Sequence, residues 1–317
     1  MTEGISPLHK ALLAEATRPL PPAVTAIAEV AARRHGEAVR AVLFYGSCLW
    51  DGYGEDKLVD LFVLVDSYAG AYRDWLPRVF NALLPPNVYF VDTEHEGQTV
   101  GAKYAVISIA DFRAGARGDW LHSYIWARFA QPSAIAMCRL EQDKTRVVGA
   151  CADAVTTLLR ESLPLLPARF TTRELWVRAF VETYRAELRS EGPDRAERLF
   201  DAAAEHCSRI TEAAMHPRGP FEKLDLAADS IFQEAPSPRH RRRAARRWWR
   251  RRATGKILSV LRLAKAAFTV ENGGSYLLWK IQRHSGVRMA ITPWQARHPL
   301  LASTVMFWRL YRKGGFR

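Results

Sequence analysis

The sequence predicts an α+β protein in which a mixed sheet with packed helices is followed by a mostly helical region. Apolar runs at residues 41–45 and 58–65 have the composition of strands and are separated by a Gly-Ser turn and a polar loop. Two further runs, residues 87–91 and 103–109, follow a helix-like segment. From residue 119 onward most of the apolar spacing is helical, so helices are expected to pack on the sheet and then continue beyond it.

The segments around these strands are predicted to be helices. Residues 8–16 and 23–35 precede the first strand, and both would pack against the sheet. Residues 68–84 have apolar side chains at near-helical spacing, and Pro77 predicts a break or a late start in this helix. Residues 221–238 are expected to form a loop and a short helix. Further helices are predicted at residues 119–130, 145–159, 172–190 and 195–215.

The composition is that of a globular protein with an anionic partner. The chain has 317 residues, 48% hydrophobic and 25% charged, which is enough for two domains or for one domain with an extension. Its formal net charge of +13 indicates nucleic acid, an acidic membrane surface or a phosphorylated substrate. The four cysteines form no Cys-x-x-Cys pair, which favours a reduced, cytosolic chain without structural zinc. No apolar run approaches the roughly 18 residues of a membrane span, and residues 1–20 are not a signal peptide, so any membrane contact would be peripheral.

The most informative segment of the chain is residues 41–66. Gly46 and Ser47 form a turn that suits phosphate, because glycine lets the backbone approach closely and the serine hydroxyl can donate to phosphate oxygens. Asp60 interrupts the second apolar run, and a lone carboxylate there requires compensation, most simply by a cation at the edge of the strand. Asp60 would then hold a Mg²⁺ ion that bridges the same phosphates. The alternative is an ordinary hairpin with one aspartate at its edge.

This layout, Gly-Ser followed after twelve residues by Asp, resembles that of the DNA polymerase beta-type nucleotidyltransferases. Those enzymes usually have a second acid two residues after the first. Phe62 stands at that position here, and the next acid in phase on the strand is Asp66, which we consider as a further metal ligand.

The chain also resembles the mitochondrial-type phosphatidate cytidylyltransferases, the translocator assembly and maintenance family, over about residues 42–281. That family likewise has an aromatic or aliphatic residue where the second acid normally sits. Ala105 in place of a glycine and Gln131 in place of a lysine are departures from its pattern. The segments that carry the resemblance, in the family's order, include FYGSCLW at 44–50, LVDLFVLVD at 58–66, KYAVIS at 103–108, SYIWARFAQP at 123–132, LLPARFTTREL at 165–175 and YRAELR at 184–189.

The resemblance implies an enzyme that converts CTP and phosphatidate into CDP-diacylglycerol and pyrophosphate with Mg²⁺, as a peripheral protein at the cytoplasmic face of a membrane. It implies a nucleotidyltransferase domain at 1–138 and a helical domain at 139–235, for which a winged-helix-like arrangement is one option. A basic, amphipathic, membrane-associating region would follow at 236–317. The alternatives are a related nucleotidyltransferase that acts on RNA or protein, and a non-catalytic membrane-binding homologue.

The resemblance also implies a role for each candidate site residue. Asp60, Lys103 and Glu187 would be catalytic, and both acids would hold the metal ion. Glu187 would reach the site from the helical domain across a cleft, and a surface ion pair with neighbouring arginines is the alternative. The residues expected to bind CTP and phosphate are Gly46, Ser47, Arg128, Tyr184 and Arg189.

A basic run with two tryptophans lies at residues 239–252, where nine of the residues are arginine. Arginine with tryptophan suits an anionic membrane surface, and it also suits nucleic-acid phosphates with base stacking. The implied lipid substrate favours the membrane over nucleic acid. Residues 300–311 are expected to provide a second, apolar membrane element. The predicted membrane residues are Arg246, Arg247, Trp248, Trp249 and Trp308.

Overall fold

The computed structural model describes residues 6–49, 52, 58–187, 194–227 and 230–269. It has an α+β fold with a mixed five-stranded sheet, which confirms the predicted class. The strand order is β3-β4-β2-β1-β5; β2 and β4 run parallel, and the other three pairs are antiparallel. The strands are β1 (Val39–Tyr45), β2 (Val59–Val65), β3 (Asn87–His95), β4 (Gln98–Ser108) and β5 (Ser133–Cys138).

The central strand β2 is covered on both faces, which explains its nearly continuous apolar sequence. Successive side chains of a strand point to opposite faces of the sheet. Leu61 and Val63 belong to a hydrophobic cluster on one face, and Phe62 and Leu64 belong to a second cluster on the other face. Asp60 stands at the start of this strand, where the apolar cover ends.

Helices cover both faces of the sheet and continue beyond it. The helices are α1 (Pro7–Ala16), α2 (Pro22–Arg33), α3 (Tyr68–Ala71), α4 (Trp75–Leu83), α5 (Ile109–Arg117), α6 (Trp126–Phe129), α7 (Glu141–Ser162), α8 (Thr172–Arg185), α9 (Arg195–Ala202), α10 (Ala204–Met215) and α11 (Pro238–Thr269). The predicted helix at 68–84 is divided into α3 and α4, and Pro77 lies in the first turn of α4, where its missing N–H has no helical partner to lose.

Some of the predicted elements are wrong. The helix expected at 119–130 is reduced to the single turn α6, because its aromatic side chains are packed into the core from an irregular segment. The helix expected at 195–215 is divided into α9 and α10. The short helix expected within 221–238 is replaced by two strands that pair in a second sheet. That sheet consists of β6 (Arg169–Thr171), β7 (Asp225–Ala227) and β8 (Ser230–Phe232), in the order β6-β8-β7.

The sheet and the helical region share one hydrophobic core. Phe62 from β2 belongs to the same buried cluster as Trp176 and Phe180 from α8 and Ile210 from α10. The long helix α7 contacts α5, α6, α1 and α8 and so connects the two regions. The boundary predicted at residue 138 therefore does not separate two independent cores.

Helix α11 extends across the protein from the helical region to the sheet. Near its middle, the indole Nε1 of Trp248 donates to the carbonyl oxygen of Glu161 at 3.0 Å. At Gly255 the helix crosses the end of α8 so closely that a Cβ atom would lie 2.0 Å from the carbonyl oxygen of Ala186. Nearer its end, the Nζ of Lys265 donates to the Pro86 carbonyl at 2.7 Å. In the part of the chain that the structure describes, no helix has both the length and the apolar character needed to cross a membrane.

Candidate functional site

The candidate site begins with an ion pair at the edge of the five-stranded sheet. The parallel register of β2 and β4 places Asp60 beside Lys103, and the Lys103 Nζ lies 2.9 Å from Asp60 Oδ1. Lys103 thus supplies the cation that a carboxylate at the start of a buried strand requires. Desolvation acts to lower the pKa of Lys103, but the charge and hydrogen bond of Asp60 outweigh it, and the pKa is raised above its usual value. The lysine is therefore a fixed positive charge at neutral pH.

The Gly-Ser turn lies directly against Asp60. Tyr45, the last residue of β1, is the cross-strand neighbour of Asp60, so the turn that follows passes the carboxylate. Gly46 has a φ of 89°, and a Cβ atom there would lie 3.0 Å from Asp60 Oδ2. Glycine is required on both grounds. Ser47, which follows Gly46, is exposed at the start of a short 3-10 turn.

A second ion pair joins the sheet to the helical region. Arg128, in α6, donates to Glu187, which follows α8, through two parallel contacts of 2.7 Å and 3.0 Å. The two side chains are 16% and 12% exposed. Desolvation opposes the charge of Arg128, but the Glu187 carboxylate more than compensates, and the pKa of Arg128 is raised. The pair that Glu187 makes with Arg128 is thus mostly buried, and in this structure the bidentate contact of Arg128 is made to Glu187. The contact expected between Arg128 and phosphate stays a prediction.

Arg262 of α11 enters the site beside Tyr124, and sequence reasoning did not identify it. The guanidinium carbons of Arg128 and Arg262 lie 3.8 Å and 4.2 Å from the centroid of the Tyr124 ring. Arg262 also donates to the Pro85 carbonyl at 3.1 Å and lies 3.3 Å from His122 Nε2. Among the described residues, no carboxylate lies within salt-bridge distance of Arg262.

The neighbouring histidine is held neutral. Burial is the main cause that lowers the pKa of His122 to about 3, and the positive charge of Arg262 adds to it. His122 Nε2 can therefore accept a hydrogen bond from Arg262 at neutral pH. The signal that could have identified Arg262 is weak, because it is one of several basic residues in an amphipathic segment without a motif.

Phe62, two residues after Asp60, occupies a position that does not suit a charged side chain. Its ring is fully buried and packs 5.0 Å from Phe129 and 5.3 Å from Tyr45, measured between ring centroids. An acid at this position would be buried under the site without a partner. Asp66 does not replace it, because it lies at the other end of β2 and pairs with Arg40 at 3.3 Å. The metal role considered for Asp66 is therefore wrong.

The residues present suit a magnesium ion that is bound jointly by the protein and by a nucleotide. They suit less well a metal ion that is held by protein ligands alone. In the described part of the chain, no three His, Cys, Asp or Glu side chains form a metal-binding group. Mg²⁺ is commonly held by one or two carboxylates together with substrate phosphates, and Asp60 beside the Gly46–Ser47 turn meets that requirement. Both oxygens of Glu187 are engaged by Arg128, so Glu187 fits a metal ligand less well.

The other predicted residues have different placements. Tyr184 is half-buried in the last turn of α8, three residues before Glu187. Arg246 and Trp249 are exposed on α11, and Arg247 pairs with Glu161 at 3.3 Å. Trp248 is 1% exposed, so the expectation that it lies at a membrane surface is wrong. Arg189 and Trp308 lie outside the described residues.

Among the residues that the structure describes, the site carries more positive than negative charge. Lys103, Arg128 and Arg262 face Asp60 and Glu187, and an excess of cations in a partly buried site favours a ligand with several negative charges. Comparison of the chain with models of known protein families and with curated proteins found no match.

Proposed function

We propose that this protein is a phosphatidate cytidylyltransferase, which uses CTP and phosphatidate to form CDP-diacylglycerol and pyrophosphate. The observation that carries the proposal is the meeting of Asp60, Lys103 and the Gly46 turn at one edge of the sheet. The segments that hold these residues are those in which the sequence resembles that family. The proposed protein acts as a peripheral enzyme at the cytoplasmic face of a membrane.

The proposed reaction requires positioning and positive charge more than a strong base. A phosphate oxygen of phosphatidate attacks the α-phosphorus of CTP, and the bond from that phosphorus to the oxygen bridging to the β-phosphate breaks. Pyrophosphate leaves with the electron pair of that bond. The attacking oxygen is already anionic at neutral pH, so the protein must bring two anions together and stabilise the charge on the leaving group.

The turn and the first ion pair suit the triphosphate. Glycine at position 46 permits close approach of a phosphate to the backbone, and the Ser47 hydroxyl can donate to it. Lys103 would neutralise phosphate charge, and Asp60 would hold the Mg²⁺ ion. When bound, that ion supplies positive charge to the phosphate oxygens.

The cations around Tyr124 suit the second anion. Arg262 has no carboxylate partner among the described residues, and burial lowers its pKa, so an incoming phosphate would relieve the cost of its desolvation. Arg128 is held in a fixed orientation by Glu187 and by its own contact with the Tyr124 carbonyl at 2.7 Å. We assign Glu187 a positioning role, because its oxygens are directed at Arg128.

The test is to mix the purified protein with phosphatidate vesicles, Mg²⁺ and each of the four nucleoside triphosphates separately. We expect a nucleotidyl-lipid and pyrophosphate with CTP, and little product with ATP, GTP or UTP. The absence of any nucleotidyl-lipid, while the protein remains folded and binds the vesicles, would contradict the proposal.

A second candidate function is nucleotide transfer to RNA, and the exposed arginines near the start of α11 favour it. Arg241, Arg242 and Arg243 are all exposed there. Exposed arginines can bind nucleic-acid phosphates as well as lipid phosphates. An arm of the same experiment with single-stranded RNA in place of vesicles separates the two functions by which acceptor becomes labelled.

A further inference from the structure

Helix α4 presents an apolar face to solvent. Trp75 and Leu83, at its two ends, are 72% and 77% exposed, and Leu76 and Val79 between them are also exposed. These positions lie on one side of the helix, since residues three and four apart are neighbours on a helix surface. A contiguous exposed apolar face of this kind in a soluble domain commonly marks an interaction site.

The end of α11 contacts the turn that follows α4. Arg262 and Lys265 donate to carbonyl oxygens of Pro85 and Pro86, in the turn that directly follows α4. These hydrogen bonds place the last turns of α11 beside the end of α4 where Leu83 is exposed. On α11, Ile257, Val260 and Leu261 are exposed as well. Exposed apolar residues therefore lie both on α4 and on the nearby part of α11.

Exposed basic residues flank these apolar residues. Arg73 and Arg78 lie before and within α4, and Arg250 and Lys256 lie on α11. Of the described residues of α4 and of α11 from residue 250 on, together with the two residues before α4, Asp74 is the exposed acid. An apolar centre with a mostly basic rim is complementary to a bilayer with anionic headgroups. A second copy of the same surface would bring like charges together, which disfavours a symmetric dimer here.

We propose that the exposed faces of α4 and of α11 from Ile257 to Leu261 form one surface that docks on an anionic phospholipid bilayer. The role of this surface in delivering the lipid substrate rests on the proposed function. Arg262 lies next to the docking residues and reaches Tyr124, so the surface would place the mouth of the site against the membrane that contains the substrate. Trp75 would lie at the depth that tryptophan prefers, near the headgroups.

The first test measures vesicle binding of the full-length protein. The variant Trp75→Glu/Leu83→Glu places two charges on the proposed surface, and Leu140→Glu is the matched control, because Leu140 is an exposed apolar residue at the start of α7. The vesicles contain equal parts of phosphatidylcholine and phosphatidylglycerol. We expect the double variant to bind roughly tenfold more weakly or worse, because apolar insertion is one of the two signals that firm peripheral attachment requires. The control should bind like the unmodified protein.

The second test places no charge on the proposed surface. Vesicles with brominated acyl chains quench tryptophans that insert among the lipids. We expect quenching of the unmodified protein to fall in Trp75→Phe and to be unchanged in Trp248→Phe, because Trp248 is buried in the core. Equal quenching of the protein and of Trp75→Phe would overturn the inference.

Further outcomes separate this surface from the enzymatic proposal. The inference is overturned if the double variant binds vesicles like the unmodified protein, or if the unmodified protein is a dimer that this variant dissociates. Turnover of soluble, short-chain phosphatidate should be the same in the double variant, since neither residue lies in the site. If vesicle binding depends on α4 but no nucleotide yields a nucleotidyl-lipid, the docking surface is supported and the proposed enzyme activity is wrong.

Discussion

Replacing Glu187 by glutamine removes one charge from the buried pair that links α6 to the end of α8. The glutamine keeps the shape of the side chain, and its amide oxygen can accept one of the two hydrogen bonds from Arg128. What is lost is the charge that compensates the guanidinium of Arg128, a side chain that is 16% exposed. The substitution therefore tests whether this pair is required for stability, for activity or for both.

The structure allows the size of the effect to be estimated. Breaking a buried ion pair from one side costs about 3–5 kcal/mol. Since the pair retains some exposure and one hydrogen bond, we expect the lower end, about 3 kcal/mol. In a protein of 317 residues each kcal/mol lowers the melting temperature by about 1.5 °C, because the entropy of unfolding grows with chain length, so the expected fall is about 5 °C. Glu205→Gln is the control, because Glu205 is 94% exposed and pairs loosely with Arg209 at 3.5 Å, and we expect no measurable change there.

Thermal unfolding measured by circular dichroism gives the stability, and formation of CDP-diacylglycerol at a temperature where both proteins are folded gives the activity. We expect Glu187→Gln to lower turnover by roughly 100-fold, because a displaced Arg128 no longer faces the phosphate of phosphatidate. A melting temperature equal to that of the control would refute the burial argument. A lower stability with unchanged turnover would show that the pair is structural and would remove both residues from the mechanism.

Four further substitutions test the site. Asp60→Asn should keep the fold and abolish product formation, because an amide is a poor ligand for Mg²⁺. Asp92→Asn on β3 is the control and should have full activity; normal turnover in Asp60→Asn would exclude Asp60. Gly46→Ala should lower stability by about 1–3 kcal/mol, because the φ of this residue is positive. It should also weaken CTP binding, because the added Cβ atom would contact Asp60. An unaltered dissociation constant for CTP would argue against a phosphate site at this turn. Arg262→Ala should raise the KM for phosphatidate, with partial recovery in Arg262→Lys, and equal values in all three proteins would remove this arginine from the site. His122→Gln should lose less stability on acidification than the unmodified protein. The pKa of His122 is about 3 in the folded protein and 6.5 in the unfolded chain, so protonation of this histidine lowers the free energy of unfolding by about 1.4 kcal/mol per pH unit as the pH falls from about 6 to 3. Identical acid denaturation curves for the two proteins would contradict this.

The sequence was most informative where burial alone determines the structure. The apolar runs at β1 and β2 are recognisable because both faces of these strands are covered, and the Thr171 capping box at the start of α8 is local. β5 was missed because Ser133–Cys138 is short and alternates small residues, so it has no marked strand pattern. The aromatic spacing at residues 119–130 imitated a helix because core packing, and not helical periodicity, determines where those rings lie.

The site was predictable only in part, for a different reason. Asp60 could be singled out because a carboxylate in an apolar strand is unusual, but the register that places Lys103 beside it depends on how two strands pair. The contact of Arg128 with Glu187 joins residues 59 positions apart, and no local pattern can show it. Trp248 illustrates the opposite error, since its arginine-rich neighbours suggested exposure although its own side chain is buried.

Helix α11 makes contacts on both sides of its crossing at Gly255. Trp248 and Arg262 each lie seven residues from the crossing, about 10 Å along the axis at 1.5 Å per residue. On one side of the crossing Trp248 fixes the helix in the core, and on the other side Arg262 reaches the site. At the crossing, Gly255 lies against the carbonyl of Ala186, the residue next to Glu187. The close contact at Gly255 therefore joins the backbone beside Glu187 to the helix that carries Arg262, so that both ends of the candidate site depend on one helix crossing.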